Sequence, residues 1–205
     1  KSPAIVKEVP TNKETTCICK ETKLYWGKYF TCQERKKIIE ISNRLGCKPD
    51  YLTSAMALET GGTFDPSIVN SLGYTGLIQI GSVAADDINR RKGTSVTAGK
   101  NGNLKDMSKL EQLTYVEYYL EPFKGKLSTL ADFYLAILMP VDCGKGNQRN
   151  HVVFDKNLSL DYKDGKVVKN TKWVRQRAYA QNPVFHKQGK NEDGKTYVWE
   201  IAEEI

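Results

Sequence analysis

The chain has 205 residues, of which 40% are hydrophobic and 10% are aromatic, and its 31 lysines and arginines outnumber 24 acidic residues to give a net charge of +7. This size and composition are typical of one folded domain with a short appendage, and they exclude a largely disordered chain and a minimal disulfide scaffold. The most apolar stretch, residues 130–141, is too short to cross a bilayer, so we expect no membrane insertion.

The positive charge favours an anionic partner. The lysines are scattered, and no DNA- or RNA-binding signature is present, so we expect no nucleic-acid partner. The bacterial cell wall, with its peptide carboxylates, is the other candidate polyanion. A basic surface that only maintains solubility explains the charge equally well.

The first 23 residues are polar, contain two prolines and lack any apolar period. They predict a linker or tether, with the folded part beginning near Leu24. Because the chain starts at Lys1 and shows no signal-peptide pattern, we expect it to be part of a longer protein.

Helical signals dominate the following residues. Thr31 and Glu34 form a capping box ahead of an apolar period that stops at Gly46. Asp50 is predicted to cap a second helix, which ends near the Gly61-Gly62 pair. A third helix is predicted to run from Ser82 to Gly93.

The second half of the chain continues this pattern. Ser108 heads another capping box, and Ser128 precedes an almost wholly apolar segment, residues 130–139, which we expect to be the buried central helix. Two more helices are predicted over residues 170–181 and 196–205. Strand-like segments are short, near 151–154 and 166–169. The sequence therefore predicts a mainly α, globular fold with little or no sheet.

Five cysteines are an odd number, so at least one is unpaired within a monomer. The spacing of Cys17, Cys19, Cys32 and Cys47 does not match that of a zinc site, and we expect ordinary thiols, no metal and no cofactor.

One carboxylate lies where an apolar side chain is expected. Leu52, Ala55 and Met56 share a face of the second helix, and Glu59, seven residues after Leu52, extends that face. Desolvation and the negative end of the helix both disfavour the ionised form, so the pKa of Glu59 should be raised. A neutral carboxylic acid near physiological pH can protonate a sugar leaving group. A glutamate paired with a lysine or bound by backbone groups is the alternative.

Two segments carry a family resemblance: residues 57–64 read ALETGGTF, and residues 73–80 read GYTGLIQI. They resemble the leading motifs of the lysozyme-like superfamily, which includes lytic transglycosylases and goose-type lysozymes. The resemblance implies that Glu59 is the catalytic acid and that the turn containing Tyr74, Thr75 and Gln79 lines the sugar cleft.

The wider run resembles peptidoglycan-degrading domains of type VI secretion effectors and phage endolysins. It covers residues 24 to about 155 through the segments YWG (25–27), CQERKK (32–37), EQLTYVE (111–117) and ADFYLAILMP (131–140). The resemblance implies a lysozyme-like catalytic core over residues 24–155. Residues 156–205 are then expected to form a C-terminal helical extension packed on that core.

The chain departs from the family on its late central helix. Residues 136–140 lack the asparagine that transglycosylases usually carry there, which leaves Tyr134 and Met139 to face the cleft or to serve as core residues. Tyr118, on the preceding helix, is a further candidate for sugar binding. Asp65 is the candidate second carboxylate, with an ordinary surface or capping role as its alternative.

The leading functional hypothesis is therefore a muramidase that hydrolyses the β-1,4 bond between N-acetylmuramic acid and N-acetylglucosamine. A lytic transglycosylase, a non-catalytic wall-binding module and a chitinase-like enzyme are the alternatives. The resemblance implies peptidoglycan glycan strands as the partner, a possible immunity protein and a monomeric module. It also implies synthesis in a bacterial cytoplasm and secretion or delivery to the periplasm of a target cell.

Overall fold

The computed structural model describes residues 22–189 and 192–205, so the predicted tether, residues 1–23, lies almost wholly outside the described residues. Within these residues about half of the positions are helical, with seven α-helices and only small two-stranded sheets, which confirms the mainly α prediction. The helices are α1 (Cys32–Leu45), α2 (Pro49–Glu59), α3 (Ser82–Lys92), α4 (Lys109–Leu120), α5 (Leu130–Leu138), α6 (Thr171–Gln181) and α7 (Val198–Glu204).

Short-range capping determines several of these boundaries. In α1, the Thr31 amide donates to Glu34 Oε2 at 2.6 Å and the Glu34 amide donates to Thr31 Oγ1 at 3.2 Å. Gly46, with φ of 72°, then ends the helix in the left-handed conformation. Ser108 and Glu111 form the same reciprocal cap on α4. These two predicted helix starts are confirmed.

Two predicted boundaries are wrong, at the starts of α2 and α7. Helix α2 begins at Pro49, whose fixed φ suits the first helical position, so Asp50 lies inside the helix instead of capping it. Helix α5 begins at Leu130, as predicted, and Thr129 caps it. Helix α7 begins at Val198 because the preceding residues are paired as a strand.

Four short strands complete the fold: β1 (Val152–Asp155), β2 (Tyr162–Lys163), β3 (Lys166–Val167) and β4 (Lys195–Tyr197). β1 pairs antiparallel with β4, with Asp155 opposite Lys195. β2 and β3 form a hairpin whose turn residues, Asp164 and Gly165, both have positive φ. An Asp-Gly pair of this kind suits the twist of a two-residue hairpin.

One buried apolar cluster joins the early helices to the C-terminal part of the chain. Phe133 and Leu135 of α5 are fully buried in it, and Tyr179, Val198 and Ile201 from residues 156–205 belong to the same cluster. Helix α5 is thus buried on one side, whereas Tyr134, on its other side, is only partly buried. The C-terminal residues therefore share the core of the predicted 24–155 unit.

Two further properties of the described residues bear on the sequence predictions. No helix among residues 22–189 and 192–205 has the length and apolar character needed to span a membrane. Cys47 and Cys143 are free thiols, and burial raises the pKa of each to about 11. Cys32 is disulfide-bonded, so the expectation of ordinary thiols is wrong for this residue.

Candidate active site

Glu59 is the last residue of α2, and the residues around it are held firmly. Leu52 and Met56 of the same helix are fully buried. The buried Thr60 hydroxyl donates to the Met56 carbonyl at 2.7 Å and accepts from the Phe64 amide at 2.9 Å. This pair of hydrogen bonds fixes the path of the chain immediately after the carboxylate.

The Glu59 carboxylate itself has no partner within residues 22–189 and 192–205. It is half-buried, and no described side chain or backbone group forms a hydrogen bond or an ion pair with it. Burial raises the pKa of Glu59 to about 7. The direction agrees with the sequence prediction, and desolvation is the cause. Near neutral pH, both the acid and the carboxylate are present in comparable amounts.

A compact loop, residues 68–81, lies beside Glu59, and we call it the turn. Thr75 and Ile80 exchange backbone hydrogen bonds of 3.0 and 2.9 Å, and the Gly76 amide donates to the Ile68 carbonyl at 2.8 Å. Gln79 has a φ of 54°, a conformation that non-glycine residues rarely adopt, and its Nε2 donates to the Gly76 carbonyl at 3.0 Å. Such strain persists only where the surrounding structure holds it.

A buried amide holds this turn in place. Gln112 of α4 accepts from the Leu77 amide at 2.6 Å and donates to the Pro66 and Leu104 carbonyls at 2.8 and 3.0 Å. A Cβ atom on Gly76 would overlap the Gln112 side chain, so this position requires glycine for space as well as for its φ of 79°. Gln112 is a positioning residue that sequence reasoning missed.

Glu59 opens into a groove of about 730 Å³ between this turn, α5 and α6. Three aromatic side chains and four amides line it with the acid: Tyr74, Tyr134, Trp173, Asn70, Gln79, Gln181 and Asn182. Aromatic rings and amides are the groups that proteins use to stack on sugars and to bind their hydroxyl and acetamido groups. We call this cavity the acid groove.

A second cavity, of about 610 Å³, adjoins the acid groove. Both cavities are lined by Tyr74, Gln79 and Ile137, so these residues lie at the junction. Tyr119 and Phe123 contribute aromatic surface to the second cavity. We refer to these two neighbouring cavities together as the cleft.

The structure brings together four of the residues predicted from sequence. Glu59, Tyr74, Gln79 and Tyr134 all line the acid groove. Burial raises the pKa of Tyr134 to about 12, and the charge of Glu59 contributes to the increase. The hydroxyl of Tyr134 is therefore within electrostatic reach of the acid.

The other four predicted residues line neither cavity. Thr75 is fully buried, and its hydroxyl donates to the Gly73 carbonyl and accepts from the Gly99 amide, so it stabilises the turn. Met139 is only 3% exposed and belongs to the core. These positions correct the expectation that Thr75 and Met139 contact a substrate.

Tyr118 and Asp65 also lie elsewhere. The Tyr118 ring packs against Lys92, whose Nζ is 4.6 Å from the ring centroid. Asp65 is exposed, and its Oδ1 accepts from the Ser67 amide at 2.8 Å in a local turn. Asp65 therefore has the ordinary turn role that was its alternative, and Tyr118 is replaced in the cleft by its neighbour Tyr119.

Sequence reasoning missed several cleft residues. Burial raises the pKa of Tyr119 to about 12, with a contribution from the nearby Glu59 charge. Trp173 and Arg177 of α6 and Asn70 of the turn also line the acid groove. The three tyrosines of α4 were a detectable signal for Tyr119, whereas no local pattern indicates that α6 faces Glu59.

Glu59 is the single acidic residue among the described residues that line the acid groove. Asp87 lines the adjoining cavity, but it is ion-paired with Arg90 and Arg91, the latter through Nε at 2.7 Å. These pairs keep the pKa of Asp87 below its ordinary value, because the Arg91 hydrogen bond favours the anion. A second free carboxylate is therefore not part of the described cleft.

The described residues contain no cluster of three or more histidine, cysteine or acidic side chains arranged to hold a metal ion. The Glu59 carboxyl, with its pKa raised to about 7 by burial, is the groove group with the most clearly perturbed protonation. No family model, no curated protein and no solved structure matches this chain.

Proposed function

We propose that this chain is a peptidoglycan muramidase that cleaves the β-1,4 bond between N-acetylmuramic acid and N-acetylglucosamine, with Glu59 as the general acid. The observation that carries the proposal is the half-buried Glu59 carboxylate at the edge of a groove lined by aromatic and amide groups. It has no partner among the described residues, and its pKa is raised to about 7. A general acid works best when its pKa lies near the working pH.

The groove groups have separate roles in this proposal. Protonated Glu59 donates its proton to the bridging oxygen as the glycosidic bond breaks, which stabilises the departing sugar. Tyr74, Tyr134 and Trp173 offer ring faces for sugar stacking. The amides of Asn70 and Gln79 offer hydrogen bonds to hydroxyl and acetamido groups.

Two outcomes follow the departure of the leaving group. Attack by water gives a reducing end, whereas attack by the 6-hydroxyl of the substrate gives an anhydro sugar, as in a lytic transglycosylase. Hydrolases usually use a second carboxylate to activate water or stabilise the sugar cation. Because Glu59 is the single acid among the described groove residues, the transglycosylase is a specific second candidate. Mass spectrometry separates the two, since the products differ by one water.

The decisive experiment compares Glu59→Gln with Glu40→Gln. Glutamine keeps the shape of Glu59 but cannot act as the acid, so we expect release of soluble fragments from purified wall sacculi to fall by about 10²- to 10⁴-fold. Glu40 is a residue of α1 whose side chain is 45% exposed and forms a long 3.9 Å ion pair with Lys36, and its variant should retain wild-type release.

The results separate the functional classes. Full turnover by the Glu59→Gln variant would refute Glu59 as the acid. Binding of the wild-type chain to sacculi without any release of fragments would favour a non-catalytic wall-binding module. Cleavage of chitin oligomers with little action on sacculi would favour a chitinase-like enzyme.

A further inference from the structure

The far wall of the acid groove carries an aromatic and cationic pair on one face of α6. Asn170 caps this helix by accepting from the amides of Lys172 and Trp173 at 3.0 and 3.3 Å. Trp173 and Arg177 are four residues apart and therefore lie on the same face. The Arg177 Cζ is 4.7 Å from the centroid of the Trp173 ring, and both side chains line the groove.

Arg177 differs from the neighbouring arginine of the same helix. Arg175 donates to Asp142 at 2.5 and 3.0 Å and to the Val153 carbonyl at 2.8 Å, so its donors serve the fold. Arg177 has no hydrogen bond or ion pair within residues 22–189 and 192–205. Its planar guanidinium, which lies over an indole ring, is thus available to donate two hydrogen bonds to a ligand in a bidentate arrangement.

The positive charge of Arg177 is kept apart from the acid. No ion pair joins Arg177 to Glu59 although both line one groove. Burial alone raises the pKa of Glu59, with no opposing contribution from a nearby cation. Lys169 adds a second cation beside the same ring, with its Nζ 5.5 Å from the Trp173 centroid. The groove therefore presents one proton donor and, separately, one cationic aromatic surface.

Building on the function proposed above, we infer that Trp173 and Arg177 form a subsite for a carboxylate carried on the 3-O-substituent of a bound sugar. Such a carboxylate is either the free lactyl group of a peptide-free glycan strand or a carboxylate of the attached stem peptide. The indole ring packs against the sugar or the substituent while the guanidinium binds the carboxylate. The subsite makes the chain selective for acidic glycans over neutral ones such as chitin.

The test measures binding by calorimetry in a Glu59→Gln background, which prevents turnover. The ligands are chitin oligomers, peptide-free oligomers of alternating N-acetylglucosamine and N-acetylmuramic acid, and the same oligomers with stem peptides. Arg177→Gln should weaken binding of the carboxylate-bearing ligands by about tenfold or more, because a charge-assisted bidentate contact is lost. Chitin binding should stay within about twofold, and Arg177→Lys should lie between because lysine lacks the planar fork.

Arg149→Gln is the matched control, since it removes the same charge from an exposed arginine that lines neither cavity. A loss with the peptide-free oligomers identifies the lactyl carboxylate, and a loss confined to the peptide-bearing oligomers identifies the stem peptide. Equal losses on chitin and acidic ligands, or equal losses in the two arginine variants, would overturn the subsite.

The proposed function is tested separately by fragment release from sacculi with the wild-type chain. Selective, Arg177-dependent binding without release would overturn the muramidase activity and retain the subsite. Release that is indifferent to Arg177→Gln, together with unchanged binding, would retain the muramidase activity and overturn the subsite. Absence of binding to all three ligands would overturn both.

Discussion

Two carboxylates that are withdrawn from water, Glu59 at the end of α2 and Asp142 just after α5, have opposite surroundings. Glu59 is half-buried without a partner among the described residues, and burial raises its pKa to about 7. Asp142 is fully buried, but Arg175 binds it at 2.5 and 3.0 Å and His151 Nε2 lies 3.1 Å from it. Burial acts to raise the pKa of Asp142, but the contacts with Arg175 and His151 outweigh it and keep that pKa below its ordinary value.

The difference shows how partners decide what a buried carboxylate can do. A desolvated acid without a cation keeps its proton near neutral pH and can transfer it. A desolvated acid with a bidentate arginine stays ionised and joins two parts of the fold. Here the Asp142–Arg175 pair fixes α6 to the residues after α5. Because α6 carries Trp173, the structural carboxylate also positions one wall of the acid groove.

The largest expected effect on the contrast between Glu59 and Asp142 comes from removing the charge of Asp142. Asp142→Asn leaves Arg175 without its anionic partner in a buried setting, so we expect the free energy of unfolding to fall by about 3–5 kcal/mol. Urea denaturation followed by circular dichroism measures the change. Glu59→Gln, which breaks no contact among the described residues, should not destabilise the protein in the same assay at pH 7.

Asp161→Asn is the matched control, because Asp161 also pairs with a cation of α6. Asp161 forms an ion pair of 2.9 Å with Lys172 of α6, but both side chains are about half exposed, at 46% and 50%. The decrease in the free energy of unfolding in Asp161→Asn should therefore be much smaller. The double variant Asp142→Asn with Arg175→Met should recover part of the lost stability, because the guanidinium that lost its anionic partner is then removed as well. If Asp142→Asn and Asp161→Asn lowered the free energy of unfolding equally, the buried Asp142–Arg175 pair would not be the contact that holds α6 in place.

The pH dependence of stability sharpens the same contrast. The pKa of Glu59 rises from 4.5 to about 7 on folding, so the folded state binds this proton more tightly than the unfolded state does. Stability should therefore fall as pH rises from about 4.5 to 7, by up to about 3 kcal/mol. Glu59→Gln removes this loss, so the variant should match the wild type at pH 4 and be more stable at pH 8. Urea titrations at the two pH values measure the difference.

Asp142 should show the opposite sign, since its pKa is lowered on folding. Its contribution is present above its unfolded pKa of 3.8 and is lost as pH falls through the folded value. The difference between the wild type and Asp142→Asn should therefore shrink in acid. For Glu59, the contradicting outcome is a stability difference between Glu59→Gln and the wild type that is the same at pH 4 and pH 8. That result would rule out the raised pKa on which the proposed mechanism depends.

Local patterns in the sequence predicted much of this molecule. The capping boxes at Thr31 and Ser108 are short-range interactions and locate α1 and α4. The apolar face of α2 correctly marked Glu59 as a withdrawn carboxylate. These features depend on residues within one or two helical turns, for which the amino-acid order alone fixes the geometry.

The features that sequence reasoning missed depend on long-range packing. Trp173 and Arg177 are more than 110 residues from Glu59, and only the burial of α6 against the core brings them to the groove. Thr75 illustrates a second failure, because the family resemblance implied that its side chain lines the sugar cleft. Its hydroxyl instead bonds to backbone groups of Gly73 and Gly99 inside the fold.

Two adjacent tyrosines of α4, Tyr118 and Tyr119, allow a test of which side chains lie near Glu59, and the expected effect is the smallest of those predicted. Tyr119 lines the cleft, and its pKa is raised by burial and by the Glu59 charge, whereas Tyr118 packs on Lys92 away from the acid. Removing one hydroxyl near the acid, in Tyr119→Phe, should lower kcat/KM for fragment release by about two- to tenfold, the size of one hydrogen bond. Tyr118→Phe should stay within about twofold. A larger loss of kcat/KM in Tyr118→Phe than in Tyr119→Phe would contradict the placement of Tyr119 in the cleft. It would also show that the Tyr119 hydroxyl does not influence the protonation of Glu59.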